Sequence, residues 1–353
     1  INDIDTVDGD SLWLSKEKYL ENIILNKKLT ISSLFDNFVL IQVLNTSNPV
    51  FTINGNASGS LLQGLWINGS SNYNLSYGIY ISNSSNNTIL GCKITGHFYG
   101  IELYGSSGNV ISTNVISDNL RRGISIESSL NDEIAYNNIT NNMYGIFCHL
   151  SNNSKFYDNI VSENWIGFLF ENSSGEGHYN IIFKNTEYGL YSEGSNNVVN
   201  FTNNWWGSNN PITSSTTGSD VFINGGNVFY NPYLILKLTT SIDRSTWNST
   251  YYGYFIEADL TYNNNGEDTS AHGNIPDDLI IYFNSTNGNI NTSATTVNGK
   301  TRIKLVNITN GTTTAFASFN GYTLNKTFNA MPINSKGVLN TRTGEYFETI
   351  QEA

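Results

Sequence analysis

A glycine followed by a large apolar residue recurs along this chain at a nearly constant interval. The glycines of these pairs, 22 or 23 residues apart, are Gly78, Gly100, Gly123, Gly145, Gly167 and Gly189. A repeat of this length matches one coil of a parallel β-solenoid, in which successive coils stack at about 4.8 Å, the spacing of hydrogen-bonded strands. Apolar residues alternate after each glycine, so every second side chain is predicted to point inward. The repeat therefore predicts stacked coils around one continuous apolar core.

Asparagine repeats in phase with these strands. One predicted column contains Asn114, Asn137 and Asn159, and a second contains Asn119, Asn142 and Asn164. Stacked Asn side chains can hydrogen-bond to their copies in neighbouring coils, and Asn tolerates the left-handed backbone of tight corners. We interpret both columns as corner devices that bind no ligand.

The sequence pattern divides the chain into three segments. Residues 1–232 are predicted to form a parallel β-helix with an N-terminal cap segment, and its early coils are less regular than those from Gly78 onward. Short alternating strands separated by Asn-Gly turns follow in residues 233–332, which predicts an immunoglobulin-like β-sandwich. Residues 333–353 are predicted to be a linker and the start of a helix. The predicted fold class is therefore all-β, a solenoid followed by a sandwich.

The two ends of the chain carry two parts of one helical pattern. When the C-terminus is placed before the N-terminus, apolar residues fall at steps of 3, 3, 1 and 3 at Phe347, Ile350, Ala353, Ile1 and Ile4. Such a helix has one apolar face and could plug the open end of a solenoid. We expect the first part of this helix, which lies at the C-terminus of the chain, to insert into the next unit beside that unit's Ile4 and Leu12. The predicted partners are identical units, joined head to tail in an open array.

Charge and hydropathy exclude two classes of partner. The net charge is −12, the isoelectric point is near 4.7, and the longest basic runs are pairs such as Arg121-Arg122, so we expect no nucleic-acid partner. No apolar stretch is long enough to cross a membrane as a helix, so no membrane insertion is predicted within this segment. Cys92 and Cys148 lie on coils two turns apart, too far for a disulfide, and Cys148 is predicted to be buried.

Asn-x-Ser/Thr triplets are frequent and make N-glycosylation of an exported, extracellular protein an expectation. The sixteen candidate sites are Asn45, Asn56, Asn68, Asn74, Asn83, Asn86, Asn138, Asn152, Asn172, Asn200, Asn248, Asn284, Asn291, Asn307, Asn310 and Asn325. Because Asn, Ser and Thr are all abundant, the excess over chance is modest.

The chain resembles the adhesin-like surface proteins of methanogenic archaea. The resemblance is carried by the Gly-Ile coils, by the run Asn203-Asn204-Trp205-Trp206-Gly207, and by the stretch from Asp259 to Asp277. It implies right-handed parallel β-helix repeats with an invasin-like bacterial immunoglobulin domain, at the cell surface. It also implies roles in attachment or envelope structure.

Three functions follow from these patterns. The preferred one is a structural module of an extracellular stalk or filament of head-to-tail units. The alternative is an adhesin module whose β-helix face binds glycan or a partner cell, through outward aromatic residues such as Tyr80, Phe147 and Tyr191. Trp205 and Trp206 are predicted to cap the last coil, or else to form a platform for a sugar ring. A polysaccharide lyase or hydrolase is the least favoured function.

The sequence predicts no catalytic residue, cofactor or metal site. Glycoside hydrolysis needs two carboxyl groups on one face, and the best-spaced pair is Asp118 and Glu163, with Arg121 and Arg122 near the first. Both acidic residues occupy corner sequences, where an acid is an ordinary turn former. The four histidines, His97, His149, His178 and His272, lack metal-ligand spacing.

Overall fold

The computed structural model describes residues 5–15, 17–34, 38–69, 76–245, 250–333, 338–339, 342 and 346–347. Within them the chain forms three long parallel sheets, A, B and C, with ten, eight and nine strands. Consecutive strands belong to different sheets, and each strand pairs with a strand one coil away. This confirms the predicted parallel β-solenoid, in which about eight coils contribute a strand to every sheet.

The bounds of the solenoid strands are as follows. Sheet A contains β1 Ser11–Leu14, β4 Thr30–Ser33, β7 Leu61–Gln63, β10 Thr88–Leu90, β13 Val110–Ser112, β16 Glu133–Ala135, β19 Ser154–Tyr157, β22 Gly175–His178, β25 Val198–Asn200 and β27 Asn227–Phe229. Sheet B contains β2 Lys18–Leu20, β5 Val39–Gln42, β8 Leu65–Asn68, β11 Lys93–Thr95, β14 Val115–Ser117, β17 Asn138–Thr140, β20 Ile160–Ser162 and β23 Ile181–Phe183. Sheet C contains β3 Ile23–Leu25, β6 Phe51–Asn54, β9 Tyr77–Ser82, β12 Tyr99–Tyr104, β15 Arg122–Glu127, β18 Tyr144–His149, β21 Ile166–Glu171, β24 Tyr188–Glu193 and β26 Ser219–Asn224. One short 3-10 helix spans Gly55–Ala57.

The inward side chains form columns that run through the coils. In sheet C, Ile124 pairs in register with Ile146, which pairs with Phe168, and all three are fully buried in the core. Cys148 is also buried there, with a free thiol, as the alternation predicted. Phe147 belongs to a separate apolar cluster on the outer face. The predicted inward and outward parity of this strand is confirmed.

The repeated glycines are explained by close contact between coils. A Cβ built on Gly145 would lie 2.6 Å from the carbonyl oxygen of Gly167 in the next coil and 3.0 Å from Nδ2 of Asn164. The equivalent Gly100 would place its Cβ 2.5 Å from the carbonyl oxygen of Gly123. Neither backbone is left-handed, so glycine is required here for space rather than for its φ angle.

Both predicted Asn columns are present as buried ladders. In the first, Nδ2 of Asn137 donates to Oδ1 of Asn159 at 3.0 Å and to the carbonyl oxygen of Ile111 at 2.8 Å. Its Oδ1 accepts from the backbone N–H and side chain of Asn114. The second ladder repeats this pattern from Asn119 to Asn185. Each side chain therefore satisfies corner groups that burial hides from water.

A third ladder, at the corner between sheets C and A, was not predicted. Asn87 donates to Asn109 at 2.9 Å, and Asn109 donates to Oδ1 of Asp132 at 2.9 Å. Burial raises the pKa of Asp132 to about 6. This ladder has only three members, and an acid replaces Asn in the last, which hides the repeat in the sequence.

The Trp pair lies at the C-terminal end of the solenoid. Trp205 is 0% exposed and Trp206 is 2% exposed, and Trp206 belongs to the main apolar core. Burial on this scale suits the predicted cap. It leaves neither ring a free face for a sugar, which argues against the predicted platform.

Beyond the solenoid the strands are antiparallel. One four-stranded sheet has the order β28 Leu234–Asp243, β29 Gly253–Asn263, β33 Lys300–Val306 and β31 Asn289–Ile290. The other has the order β32 Ser293–Thr295, β30 Ile280–Ser285, β34 Thr312–Phe319 and β35 Tyr322–Asn329. The antiparallel region confirms the predicted change of strand type, whereas its immunoglobulin-like identity stays a prediction.

Contacts group the chain into two compact units. The first contains Ile1–Ile235 and Thr261–Pro276, and the second contains Leu236–Leu260 and Asp277–Ala353. The segments 1–232, 233–332 and 333–353 therefore stay a prediction about domains.

The predicted terminal helix is wrong at Phe347. Residues Tyr346–Phe347 form β37, which pairs antiparallel with β36 Val338–Leu339, so an extended backbone replaces the predicted helical turn there. Ile1, Ile4, Ile350 and Ala353 lie outside the described residues. Leu12 packs against the core of its own solenoid, and the predicted head-to-tail contact stays a prediction.

We expect Gly145→Ala to destabilise the solenoid by about 1–3 kcal/mol or more, because its Cβ would collide with the backbone of the next coil. Gly311→Ala is the control, since the nearest atom to a Cβ there is 3.9 Å away. Thermal and denaturant unfolding of both variants measure the difference. Equal stability of the two variants would contradict the close coil contact.

We expect Asn137→Ala to cost more than about 2 kcal/mol, because it leaves the buried N–H of Asn114 and the carbonyl of Ile111 without partners. The control is Asn138→Ala, at the exposed neighbouring position, which should stay within about 0.5 kcal/mol of the parent. Denaturant unfolding tests both. If Asn137→Ala costs less than about 2 kcal/mol, the ladder contributes little to the free energy of unfolding.

Candidate functional site

The outer face of sheet C carries three columns of side chains in strict register. From β9 to β24, the first column is Tyr77, Tyr99, Arg122, Tyr144, Ile166 and Tyr188, and the second is Tyr80, Glu102, Ser125, Phe147, Leu169 and Tyr191. The third column is Ser82, Tyr104, Glu127, His149, Glu171 and Glu193. These columns place aromatic and acidic side chains side by side over six coils.

A charged centre interrupts the aromatic residues of this face. Nη1 of Arg122 lies 3.9 Å from Oε2 of Glu102 and 3.6 Å from Oε2 of Glu127. The same nitrogen donates to the Ser125 hydroxyl at 2.9 Å. Nδ1 of His149 lies 3.6 Å from the other oxygen of Glu127. One guanidinium therefore brings together two carboxyl groups from adjacent coils.

The two carboxyl groups differ in their access to water. The side chain of Glu102 is 5% exposed, whereas that of Glu127 is 30% exposed. Burial raises the pKa of Glu102 to about 7, against the opposing effects of Ser125 and Arg122, and the nearby charge of Glu127 raises it further. The site therefore holds a buried carboxyl group that keeps its proton to a higher pH than an ordinary glutamate, beside a more exposed carboxyl group.

Aromatic rings hold the guanidinium in place. The Arg122 guanidinium carbon lies 3.7 Å from the centre of the Phe147 ring and 4.9 Å from that of Tyr99. Such contacts favour a cation over a ring face. Because its position is set by rings on both neighbouring coils, Arg122 can orient Glu102 and Glu127 without moving.

Two aromatic clusters flank the charged centre along the solenoid axis. On the N-terminal side, Tyr77 lies 5.2 Å from Tyr80 and 5.1 Å from Tyr99 between ring centres. On the C-terminal side, Tyr191 stacks on Phe222 at 5.1 Å with an angle of 5°. A stripe of partly exposed rings with a pair of carboxyl groups at its middle can stack on flat sugar faces and transfer a proton.

The acidic residues weighed from the sequence do not take part. Asp118 and Glu163 have φ angles of 57° and 58°, so both are left-handed corner residues, as the turn interpretation predicted. Asp118 accepts a hydrogen bond from Ser117 at 2.7 Å. Of the two arginines, Arg122 joins the centre, while Arg121 lies over the Phe98 ring.

The outward aromatic residues lie where the alternation placed them. Tyr80 and Tyr191 are partly exposed on the outer face, but Phe147 is only 5% exposed because Arg122 covers its ring. Among the described residues, no group of three His, Cys, Asp or Glu could hold a metal ion. In that part of the chain, no helix is long and apolar enough to cross a membrane.

The candidate glycosylation sites differ in exposure. Asn74 and Asn248 lie outside the described residues. None of the others is buried, and only Asn68 and Asn200 are half-buried. Asn200 accepts a hydrogen bond from the hydroxyl of Thr202, the third residue of its own triplet. Glycosylation stays a prediction at all of them.

Glu102 and Glu127 were not predicted from the sequence as site residues. A signal was present, because Glu102 takes the place of an aromatic residue in the column of Tyr80 and Phe147. Aligning the coils by their glycines would also have placed Arg122 and Glu127 one coil further on.

We expect the pH dependence of stability to report the buried carboxyl of Glu102. Its folded-state pKa of about 7 exceeds its ordinary value of 4.5, so ionisation opposes folding as the pH rises from about 4.5 to 7. Over this window the parent should lose up to about 3 kcal/mol relative to Glu102→Gln. Denaturant unfolding at several pH values measures the difference, with exposed Glu163→Gln as control. A difference that does not change with pH would show that folding does not raise the pKa of Glu102.

Comparisons with known proteins agree with the fold. The family described as the right handed beta helix region matches residues 21–159 and 52–206, which together cover more than half of the chain. No curated protein matches the sequence.

Several solved structures share the fold at low identity. A periplasmic alginate epimerase, AlgG, is 15% identical with a TM-score of 0.43, over 58% of this chain and 51% of the epimerase. Pectate lyase Pel9A is 12% identical with a TM-score of 0.42, over 64% and 68% of the two chains. Tailspike protein 2 of an Escherichia coli O157:H7 bacteriophage is 12% identical with a TM-score of 0.42, over 96% and 64%. The chain thus spans about half the length of the epimerase, and these likenesses concern the fold alone.

The predicted structural stalk or filament module is nevertheless wrong by this comparison. The chains that share the fold are an epimerase, a pectate lyase, an alginate lyase and a tailspike, rather than stalk modules. Repeated coils alone do not distinguish a stalk from these proteins, because the solenoid core is the same in both. The resemblance to archaeal adhesin-like proteins stays a prediction. With more than half of its length matched, the chain belongs to the family of the right handed beta helix region.

Proposed function

We propose that the chain binds a neutral polysaccharide along the outer face of sheet C and hydrolyses a glycosidic bond at Glu102 and Glu127. The observation that carries the proposal is the contact of both carboxyl groups with one nitrogen of Arg122, with the pKa of Glu102 raised to about 7. Glycoside hydrolysis uses one protonated and one ionised carboxyl group on the same substrate. The proposal keeps the expected extracellular location, where such polymers occur.

The charges on this face favour a neutral chain over a polyuronate. Three carboxylates, of Glu127, Glu171 and Glu193, lie in its third column, whereas Arg122 is already engaged with Glu102 and Glu127. A substrate with a negative charge on every sugar would be repelled along this face. Aromatic rings on both sides of the centre provide stacking surfaces that do not depend on charge.

Glu102 and Glu127 have different roles in the proposed reaction. Glu102, protonated near neutral pH, donates its proton to the glycosidic oxygen as the bond to the anomeric carbon breaks. Glu127, the more exposed carboxylate, attacks the anomeric carbon and forms a glycosyl ester. Water then hydrolyses this ester, giving one proton back to Glu102 and releasing Glu127. Both Oε2 atoms lie within 3.9 Å of one nitrogen, so the two carboxyl groups can act on the same glycosidic bond. The anomeric configuration of the product would distinguish this retaining reaction from an inverting one.

We expect new reducing ends when the full chain is incubated with neutral polysaccharides, and about 100-fold or greater loss of activity in Glu102→Gln and Glu127→Gln. Glu163→Gln, at an exposed corner, is the matched control and should keep full activity. Melting temperatures of all variants check that they fold.

Two results would overturn the proposal. One is full activity in Glu127→Gln. The other is cleavage that yields unsaturated sugars, which would indicate elimination on a polyuronate instead of hydrolysis.

A further inference from the structure

A second concave site lies at the corner between sheets A and B, away from the face of sheet C. It has a volume of about 620 Å³. The residues that matter for its chemistry are Tyr136, Tyr157, Asp158, His178, Tyr179 and His272. All belong to the first compact unit, because the segment Thr261–Pro276, which carries His272, is part of it.

The backbone at this corner has an unusual set of residues. Tyr136, Asp158 and Tyr179 occupy equivalent corner positions of successive coils with φ angles of 58°, 55° and 59°. Bulky side chains rarely adopt this left-handed conformation, which Gly, Asn and Asp accept more easily. Strained residues of this kind cluster at functional sites. The presence of two tyrosines at these corners therefore favours a functional role for their side chains.

Asp158 carries an unpaired acceptor in the pocket. Its Oδ1 is buried and has no hydrogen-bond partner among the described residues, while the Tyr136 hydroxyl bonds to the carboxyl group. Burial raises the pKa of Asp158 to about 6, so the carboxyl is largely ionised at neutral pH. A buried carboxylate oxygen without a donor is costly, and a ligand that donates a hydrogen bond would relieve that cost.

The remaining walls are aromatic and carry a second carboxylate. Tyr157 stacks on His178 with 6.0 Å between ring centres. Glu133 adds a second carboxylate, and no Lys or Arg lines the cavity. The nearest lysine in register, Lys155, lies 3.5 Å from Glu176 and pairs with it. Rings and carboxylates together form a cage of the kind that attracts organic cations.

The segment from Thr261 to Pro276 closes one side of this cage. Nδ2 of Asn263 donates to Oδ1 of Asn203 at 3.3 Å, which ties the segment to the coil corner. Gly273 packs against the Tyr179 ring so closely that a Cβ there would collide with it. The wall is therefore shaped to the aromatic side chain beneath it.

We propose that this corner pocket binds a primary ammonium group, which donates a hydrogen bond to Asp158 and lies against the rings of Tyr136, Tyr157 and Tyr179. The unpaired oxygen favours a primary over a quaternary ammonium, because only the former can donate. The two carboxylates of the lining, with no Lys or Arg among its described residues, favour a cation over an acidic sugar. Amino sugars and lysine side chains both carry this group.

Titration calorimetry at pH 7.5 tests the proposal on the full chain. The probes are glucosamine oligomers, N-acetylglucosamine oligomers of equal length, choline, and an acetyl-lysine amide with a free ε-amino group. We expect at least tenfold tighter binding of a primary-ammonium probe than of the N-acetylated oligomer or choline. Preference for the glucosamine oligomer or for the lysine amide identifies the source of the group.

Asp158→Asn should weaken that binding at least tenfold, because it removes the charge but keeps the shape and tolerates the left-handed backbone. The matched control is Asp118→Asn, the same change at an exposed left-handed corner outside the pocket, which should bind as the parent does. Melting temperatures confirm that both variants fold. Unchanged affinity in Asp158→Asn, equal binding of the N-acetylated oligomer, or no binding of any probe would overturn the proposal.

Discussion

Hydrogen bonding between coils in strict register is the constraint on which this structure depends. In the regular coils each strand pairs with its copy about 22 residues away, so each residue stands on its equivalent in the coil before. A corner that turns between two such strands buries backbone groups that no strand can pair. The Asn ladders satisfy these groups, and the glycine column gives the coils room to approach. The apolar core follows from this register, because alternation puts the same kind of side chain inward in every coil.

The same register organises the outer surface. Glu102, which stands in line with Tyr80, places a carboxyl group on a face rich in aromatic rings and is almost fully buried there. Its partners come from the next coil, where Arg122 and Glu127 lie on either side of Ser125. Residues 20 to 25 positions apart thus meet without any long-range crossing of the chain. On this scaffold, the proposed catalytic and binding groups arise from substitutions within the columns rather than from insertions in loops.

Much of this architecture follows from the sequence because it is periodic. The coil length, the inward parity of Ile146 and the Asn columns all derive from positions that repeat. The proximity of Glu102 and Glu127 does not follow from the repeat, because the two residues belong to different columns of neighbouring coils. Their distance also depends on the direction of their long side chains. Asp118 and Glu163 share one column, which made their separation easy to predict but also placed both at corners.

Features without a repeat were the hardest to predict. The strand at Phe347 is set by pairing with Val338, a local contact that competes with an equally good helical pattern. The corner pocket needs the segment around His272, about 100 residues beyond the coils that it covers, to fold against them.

The stacking of coils also fixes the distances between groups on the outer face of the solenoid. Each coil advances the axis by about 4.8 Å, so distances between outer-face groups come in whole steps. The acid pair starts on β12, and the corner pocket begins after β16 and β19. Duplication or loss of one coil elsewhere along the axis would lengthen or shorten the aromatic stripe by one step and leave both centres unchanged. A lineage of such chains could therefore adjust the length of polymer that it holds by copying about 22 residues at a time, without inventing a new site.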